Sequence, residues 1–202
     1  TFDPHLNAMN VAGNATIAAN AVVNGSSNGT EAMTVNGVLT GAGTVTLAGT
    51  VEIRIAANQN FGPTAANHWS FKNLTFSNST GVVRTVTRVA SSGGDVHVGH
   101  QLLVSKTGDT AGTALNAGSG FWKIGTAGTN TNPFDLNQAG GSLVAGTSSF
   151  DYGSGTAVSG DVTIQAATYN NLSFGYGSTV ENFIPEGALI LNGDMAAGGS
   201  SG

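Results

Sequence analysis

Two histidines and an aspartate lie close together near the middle of the sequence. The stretch "DVHVGH" places His97 two residues after Asp95 and three residues before His100. Imidazole nitrogens and carboxylate oxygens bind divalent metals, so the segment has the residue types of a metal site. On a β-strand, however, residues three apart point to opposite faces, and these two rings diverge unless the backbone turns at Gly99. We therefore predict no metal and no cofactor, and take His97 as a candidate surface-binding residue.

Carboxylates could do acid–base chemistry if two of them met in a groove. A glycoside hydrolase needs a pair of carboxyl groups about 5–10 Å apart. The acidic residues are instead spread singly along the chain, at Asp3, Glu31, Glu52, Asp95, Asp109, Asp135, Asp151, Asp161, Glu181, Glu186 and Asp194. No nucleophile elbow, phosphate loop or His-Glu-x-x-His motif is present. The sequence predicts that the protein is not an enzyme.

Aromatic side chains are a second source of binding chemistry. Exposed aromatic rows bind sugars by stacking, and "GFWKIG" could present Trp122 at the surface. The competing interpretation is that aromatics stack inside the core, where each buries about 150–250 Å². Phe71 and Phe76 are five residues apart and cannot both face inward on one straight strand. We therefore expect core positions for most aromatics and exposure for some.

The composition excludes several classes of function. Only 8% of the 202 residues are charged, against about 25% in an ordinary globular protein. The net charge is −5, with too few lysines and arginines for a nucleic-acid surface. No cysteine is present, and no apolar run reaches the length of a membrane span. We predict neither nucleic-acid binding nor a membrane span.

Alternation of apolar and polar residues indicates β-strands. In "TVEIRIA", Val51, Ile53 and Ile55 share one side, while Glu52 and Arg54 share the other. Similar short runs are bounded by Gly, Asn, Asp and Ser, which favour turns. The best helix candidate, "NATIAANAVV", is rich in poor helix formers. The sequence predicts an all-β fold.

One phrase occurs twice. "SFKNLTF" at 70–76 and "TYNNLSF" at 168–174 place Phe71 and Tyr169 98 residues apart. The segments around the phrases keep the same order. We therefore predict a single β-rich domain over 1–202, with internal repeats of about 100 residues at approximately 41–109 and 144–202.

The ordered phrases resemble a known class of repeat. "Gly-Thr-Val-Thr-Leu-x-Gly-Thr", then "(Phe/Tyr)-x-Asn-Leu-(Thr/Ser)-Phe", then "Gly-x-(Leu/Val)-x-(Leu/Val)-x-Gly" is similar to the Gly/Asn/Thr-rich repeats of large bacterial surface proteins of the autotransporter and filamentous-haemagglutinin type. The resemblance implies a right-handed parallel β-helix in an extracellular fibre, stalk or adhesin. It carries no catalytic residues.

Asparagine sequons suggest two further roles. In a secreted protein, Asn-x-Ser/Thr triplets are candidate glycosylation sites. They occur at Asn14, Asn24, Asn28, Asn73, Asn78 and Asn171. Asn73 and Asn171 lie inside the repeated phrase, where we favour an asparagine ladder with hydrogen bonds between coils over glycosylation.

Three architectures and three functions stay open from the sequence. The alternatives to a β-helix are two tandem β-sandwich domains or one jelly-roll sandwich of a pilus-type subunit. The predicted function is that of a non-enzymatic extracellular or cell-surface structural module that self-associates into a filament, with copies of itself as partners. The alternatives are an adhesin segment that binds glycans or host surfaces, and a β-helix enzyme that degrades polysaccharides.

Overall fold

The computed structural model describes residues 8–25, 29, 31–89, 94–126, 131–136, 140–153, 161–175 and 182–197. These residues form 21 β-strands and contain no α-helix, and none of them belongs to a helix that could cross a membrane. In chain order the strands are β1 (Ala8–Val11), β2 (Ala15–Ile17), β3 (Val22–Asn24), β4 (Ala32–Val35), β5 (Leu39–Gly41), β6 (Thr44–Ile55), β7 (Gln59–Pro63), β8 (Trp69–Asn78), β9 (Arg84–Arg88), β10 (Asp95–Val104), β11 (Thr113–Asn116), β12 (Phe121–Ile124), β13 (Phe134–Asp135), β14 (Ser142–Val144), β15 (Ser149–Tyr152), β16 (Val162–Ile164), β17 (Thr168–Tyr169), β18 (Asn171–Phe174), β19 (Phe183–Pro185), β20 (Ile190–Leu191) and β21 (Met195–Ala197).

Every pairing between these strands is parallel. The strands of one coil pair with strands of the next, so the chain winds into a solenoid of about seven turns. This confirms the predicted parallel β-helix. The β-sandwich and jelly-roll alternatives are wrong for the described residues, because those folds are built from antiparallel sheets.

The coils have three faces. Face 1 consists of β3, β12, β15, β18, β21 and the N-terminal halves of β6, β8 and β10. Face 2 consists of β1, β4, β13 and the C-terminal halves of the same three long strands. Face 3 consists of β2, β5, β7, β9, β11 and β14. Two small sheets, β16 with β19 and β17 with β20, follow the same chain order in the last coils.

The repeating unit of the structure is one coil. On face 1 a single inward-facing column runs through Val23, Val45, Trp69, Val96, Trp122, Phe150, Leu172 and Met195. Neighbouring members of this column are 22 to 28 residues apart. Coil length therefore varies, and the turns between strands absorb the difference.

The two copies of the repeated phrase lie on different faces. Leu74 of the first copy pairs with Val51 and Leu102 on face 2. Leu172 of the second copy pairs with Phe150 on face 1. The phrases are alike in local sequence but not in position on the helix. The internal repeats at 41–109 and 144–202 stay a prediction about the sequence.

The predicted alternation is confirmed. Val51, Ile53 and Ile55 are buried, while Glu52 and Arg54 face outward. The segment considered as a helix holds β2 and β3, with Asn20 between them at a φ of 65°. A small polar residue at this corner tolerates the left-handed backbone that a tight turn needs.

The aromatic residues of the first phrase are more buried than the sequence suggested. Phe71 and Phe76 are both almost fully buried. The expectation that two residues five apart could not both face inward is wrong here, because β8 is not straight. Its register against β6 and β10 shifts between Phe71 and Asn73, where the strand bends from face 1 to face 2. At this bend β8 has one residue fewer than β6 and β10, which reverses which of its later side chains face inward.

Both phrase asparagines form hydrogen bonds between consecutive coils, as an asparagine ladder would, but the partners found are not asparagines. Asn73 donates from Nδ2 to Thr50 Oγ1 over 3.2 Å, and its Oδ1 lies 3.0 Å from His100 Nδ1. Asn171 donates from Nδ2 to Ser149 Oγ over 3.1 Å and accepts from the backbone N–H of Asp194 at 3.0 Å. The partners are hydroxyl, imidazole and backbone groups, whereas Asn36 and Asn10 form a true asparagine pair at 3.3 Å.

Glycine is required where two turns stack at the corner from face 3 to face 1. Gly118 and Gly146 have φ values of 68° and 60°, and occupy this corner in consecutive coils. Thr147 N–H donates to the Gly118 carbonyl over 2.9 Å. A Cβ atom on Gly146 would lie 2.4 Å from the same carbonyl oxygen. The corner therefore excludes side chains for both steric and backbone reasons.

We expect Gly146→Ala to lower the free energy of unfolding by about 1–3 kcal/mol, because it adds a clash to a left-handed backbone. Urea denaturation would measure the change. Gly13→Ala is the matched control, since a Cβ atom there meets nothing within 4 Å. Equal losses from both variants would contradict the proposed corner constraint.

A charged cluster joins three coils on the outside of face 2. Glu52 on β6 accepts from Ser77 Oγ on β8 at 2.7 Å and from Lys106, which follows β10. Arg54 also donates to Glu52, over 3.4 Å. Burial works against ionisation of Glu52, but the hydrogen bonds from Lys106, Ser77 and Arg54 outweigh it and lower the pKa of Glu52 to about 2. The cluster therefore favours the ionised carboxylate.

We expect Glu52→Gln to reduce stability at pH 7 by about 1 kcal/mol or less, because its cationic partners are partly exposed. A carboxylate with a depressed folded pKa stabilises the fold above its unfolded pKa of 4.5, and this contribution is lost as the pH falls toward 2. Thermal unfolding of both proteins across this range should show the difference disappearing in acid. Lys106→Met should lose part of the same pH-dependent contribution, since Ser77 and Arg54 still donate to Glu52. A difference that is constant at every pH would count against the cluster.

Candidate functional site

Three chemistry-bearing side chains meet on the outer surface of face 1. His68 Nδ1 lies 3.1 Å from Asp95 Oδ2, and His97 Nε2 lies 3.6 Å from the same oxygen. The ligand-type atoms of the three residues all lie within 4.8 Å of one another. The two imidazole rings are 5.5 Å apart between centroids. We call His68, Asp95 and His97 the His-Asp cluster.

Two features of the fold build the cluster. Asp95 and His97 are two residues apart on β10 and therefore point to the same side. Trp69 pairs with Val96 across the coils, which brings His68, immediately before Trp69, beside Asp95. His100 is not part of the cluster and contacts Asn73 instead. From the sequence, only His97 and His100 were considered as a pair. The histidine that joins His97 in the cluster is instead His68, which comes from the preceding coil.

The His97 ring is half-buried, and its environment favours the neutral form. Burial of the ring and the positive charge of Lys123 lower the pKa of His97 below its ordinary value, and Asp95 only partly opposes them. Lys123 lies directly beside His97 in the parallel register of β10 and β12. Within the described part of the chain, the buried Nε2 atom of His97 has no hydrogen-bond partner.

A buried arginine, Arg88, lies inside the β-helix near the His-Asp cluster. Arg88, at the end of β9, is 1% exposed, and its positive charge interacts with Asp95. One guanidinium nitrogen donates to the carbonyl of Gly94, and the group lies 5.9 Å from the ring centroid of Trp122. Its Nε and Nη1 atoms have no partner among the described residues. Burial lowers the pKa of Arg88, which shows how unfavourable this position is for a charge.

A groove of about 380 Å³ follows the bend between faces 1 and 2. Its lining includes Leu47, Phe71, Lys72, Gly99 and His100, together with Thr46, Ala48, Ser70 and Thr126. None of these lining residues is an aspartate or a glutamate. The groove therefore lacks the carboxylate pair that glycoside hydrolysis uses.

The prediction that Trp122 is a surface-binding residue is wrong. Its side chain is 0% exposed, and its Nε1 donates to the carbonyl of Ala117 over 3.2 Å. The ring stacks at 5.9 Å on Phe150, inside the helix. The alternation of β12 explains this position, because Trp122 and Ile124 face inward while Phe121 and Lys123 face outward. Across the described residues, no aromatic side chain is classed as exposed.

The sequons differ in accessibility. Asn14 and Asn24 are exposed, and Asn73 and Asn171 are half-buried in bonds between coils. Asn78 is fully buried, and its Nδ2 donates to the carbonyls of Val82 and Gly112. Asn78 is therefore not available as a surface glycosylation site. Asn28 lies outside the described residues, and glycosylation at the other positions stays a prediction.

Comparison of the chain with protein-family models, with curated proteins and with solved structures gave no significant match.

We expect Arg88→Met to be as stable as the wild-type protein or more stable by about 1–2 kcal/mol, because an apolar side chain of similar size removes a poorly paired buried charge. Arg88→Ala should instead lose about 2 kcal/mol or more by leaving a cavity. Urea denaturation midpoints would separate the two variants. If Arg88→Met loses as much as Arg88→Ala, the guanidinium makes a net stabilising contribution.

Proposed function

We propose that the chain is a non-enzymatic structural module whose β-helix stacks end to end with copies of itself to form a fibre. The feature that supports this is the last described coil. It ends with one strand from each small sheet and one from face 1, namely β19, β20 and β21. The first described coil likewise begins with β1, β2 and β3, one on each face.

Apolar side chains at the last coil are exposed. Met195 continues the core column of face 1 but is 65% exposed, whereas Leu172, its neighbour in the column, is 1% exposed. Ile184 and Ile190 on the same coil are 47% and 56% exposed. A further coil placed on this end would bury Met195 in the same way that Met195 covers Leu172. Exposed apolar strand edges of this kind favour pairing with another chain.

The direction of the strands favours head-to-tail contact between two copies over contact between two like ends. A first coil placed on a last coil continues the parallel ladder, whereas two last coils facing each other would pair their strands in the opposite direction. Head-to-tail contacts between unlike surfaces do not close on themselves unless they form a ring, and therefore produce open filaments. A further coil of a longer chain would cover the same surface, so the test uses the 202-residue chain alone.

We also propose an extracellular or cell-surface location. The low charge content and the Asn-, Thr- and Ser-rich surface support it, together with the resemblance to bacterial surface repeats. The alternative of glycan binding by exposed aromatic residues has no support from the described side chains, since the aromatics there are buried or half-buried.

Electron microscopy and sedimentation across a concentration series would test the assembly. The face-1 column has eight strands, and strands about 4.8 Å apart give an axial repeat of about 38 Å per copy. We expect fibres with this repeat. A wild-type chain that stays monomeric at high concentration would exclude the proposal.

Met195→Glu should weaken the association at least about tenfold, since it places a charge where the next coil would exclude water. At concentrations where both proteins are monomeric, its thermal unfolding should match that of the wild type, because Met195 is already exposed. Val83→Glu is the control, since Val83 is 62% exposed but lies between β8 and β9, away from both ends. Equal weakening by both variants would indicate lateral association instead of end-to-end stacking.

A further inference from the structure

We propose that His68, Asp95 and His97 form a binding site for one divalent transition-metal ion, of which Zn²⁺ is the representative. This site is independent of the proposed end-to-end stacking, because it lies in the middle coils. The donor set is two imidazole nitrogens and one carboxylate oxygen. This set suits Zn²⁺, Cu²⁺ and Ni²⁺, whereas Ca²⁺ and Mg²⁺ prefer sites made of oxygen atoms alone.

The spacing of the donor atoms fits such an ion. Ligands about 2.1 Å from a tetrahedral metal lie about 3.4 Å from one another. Asp95 Oδ2 lies 3.1 Å from His68 Nδ1 and 3.6 Å from His97 Nε2. All donor atoms lie within 4.8 Å of one another, which is close to the spacing that one ion requires.

A second observation points to a ligand. The Nε2 atom of His97 is buried, and at 3.6 Å from Asp95 Oδ2 it lies beyond hydrogen-bond distance of this or any other described acceptor. A buried polar atom without a partner is unfavourable, and native proteins rarely retain one. A metal ion held between Nε2 and Asp95 would supply the missing partner. The neighbouring Asp95 carboxylate is in place to bind the same ion.

The three ligands are attached to rigid elements. Asp95 and His97 belong to β10, which pairs with β8 on one side and β12 on the other. His68 precedes Trp69, whose indole is fully buried and donates to the carbonyl of Gly43 at 2.9 Å. The His68 side chain itself is 62% exposed, which leaves an open side for the ion to enter and for water to complete its coordination.

Two cations oppose the site and limit its affinity. Lys123 lies beside His97 in the register, and Arg88 lies on the inner side near Asp95. Removal of the Lys123 charge should therefore strengthen metal binding. This opposite effect separates metal binding from a general loss of structure, because damage to the fold would only weaken binding.

Isothermal titration of the tag-free chain with Zn²⁺ at neutral pH tests the proposal. We expect one saturable site per chain. His68→Gln, Asp95→Asn and His97→Gln should each weaken it at least about tenfold, since loss of a supporting hydrogen bond alone costs that much at metal sites. Lys123→Gln should bind more tightly. Zn²⁺ should also raise the thermal midpoint of the wild-type chain but not that of His68→Gln.

His100→Gln is the matched control, because His100 lies on the same strand outside the cluster. It should bind Zn²⁺ as the wild type does. The proposal is overturned if the wild type shows no saturable binding up to about 1 mM, if His100→Gln weakens binding as much as His68→Gln, or if Ca²⁺ competes equally with Zn²⁺. If His97→Gln does not fold, Zn²⁺ binding by His68→Gln still tests the proposal, because the His68 side chain is exposed.

Discussion

Parallel pairing between consecutive coils is the constraint on which the rest of the structure depends. A single coil cannot bury its own apolar side, so its stability comes from the coils before and after it. The register places each side chain above one of equivalent orientation, about 4.8 Å away. An inward position must therefore be apolar in successive coils, and outward charges of one sign would repel their neighbours. The low charge content and the hydroxyl and amide side chains of the outer columns follow from this stacking.

Inside the β-helix, aromatic side chains of successive coils also lie above one another and stack. Phe61 lies between Trp69 and Trp122, at 5.9 Å and 6.4 Å between ring centroids. Phe150 continues the row by stacking on Trp122, at an interplanar angle of 5°. Towards the last coils, the buried hydroxyls of Tyr152 and Tyr169 bond each other over 2.7 Å. Large flat rings therefore fill much of the interior of coils that differ in length.

The strands could be predicted from the sequence because alternation is a local property. Val51 and Ile53 face inward as their spacing indicates, and the same rule applied to "FWKI" would have placed Trp122 inside. The coil length could not be predicted, because turns of unequal length hide the period. Without it, nothing in the sequence shows that Trp69 lies opposite Val96. The association of His68 with Asp95 was missed for this reason.

The spacing of 22 to 28 residues between stacked strands also bears on how the chain reaches its fold. Each contact between coils joins segments that are close in sequence, so the relative contact order is low for a protein made entirely of β-strands, and loop closure costs little entropy at each step. Folding can then begin at any pair of adjacent coils and propagate in both directions. The same connectivity makes cooperativity local: a weakened coil in the middle would divide the molecule into two independently melting segments.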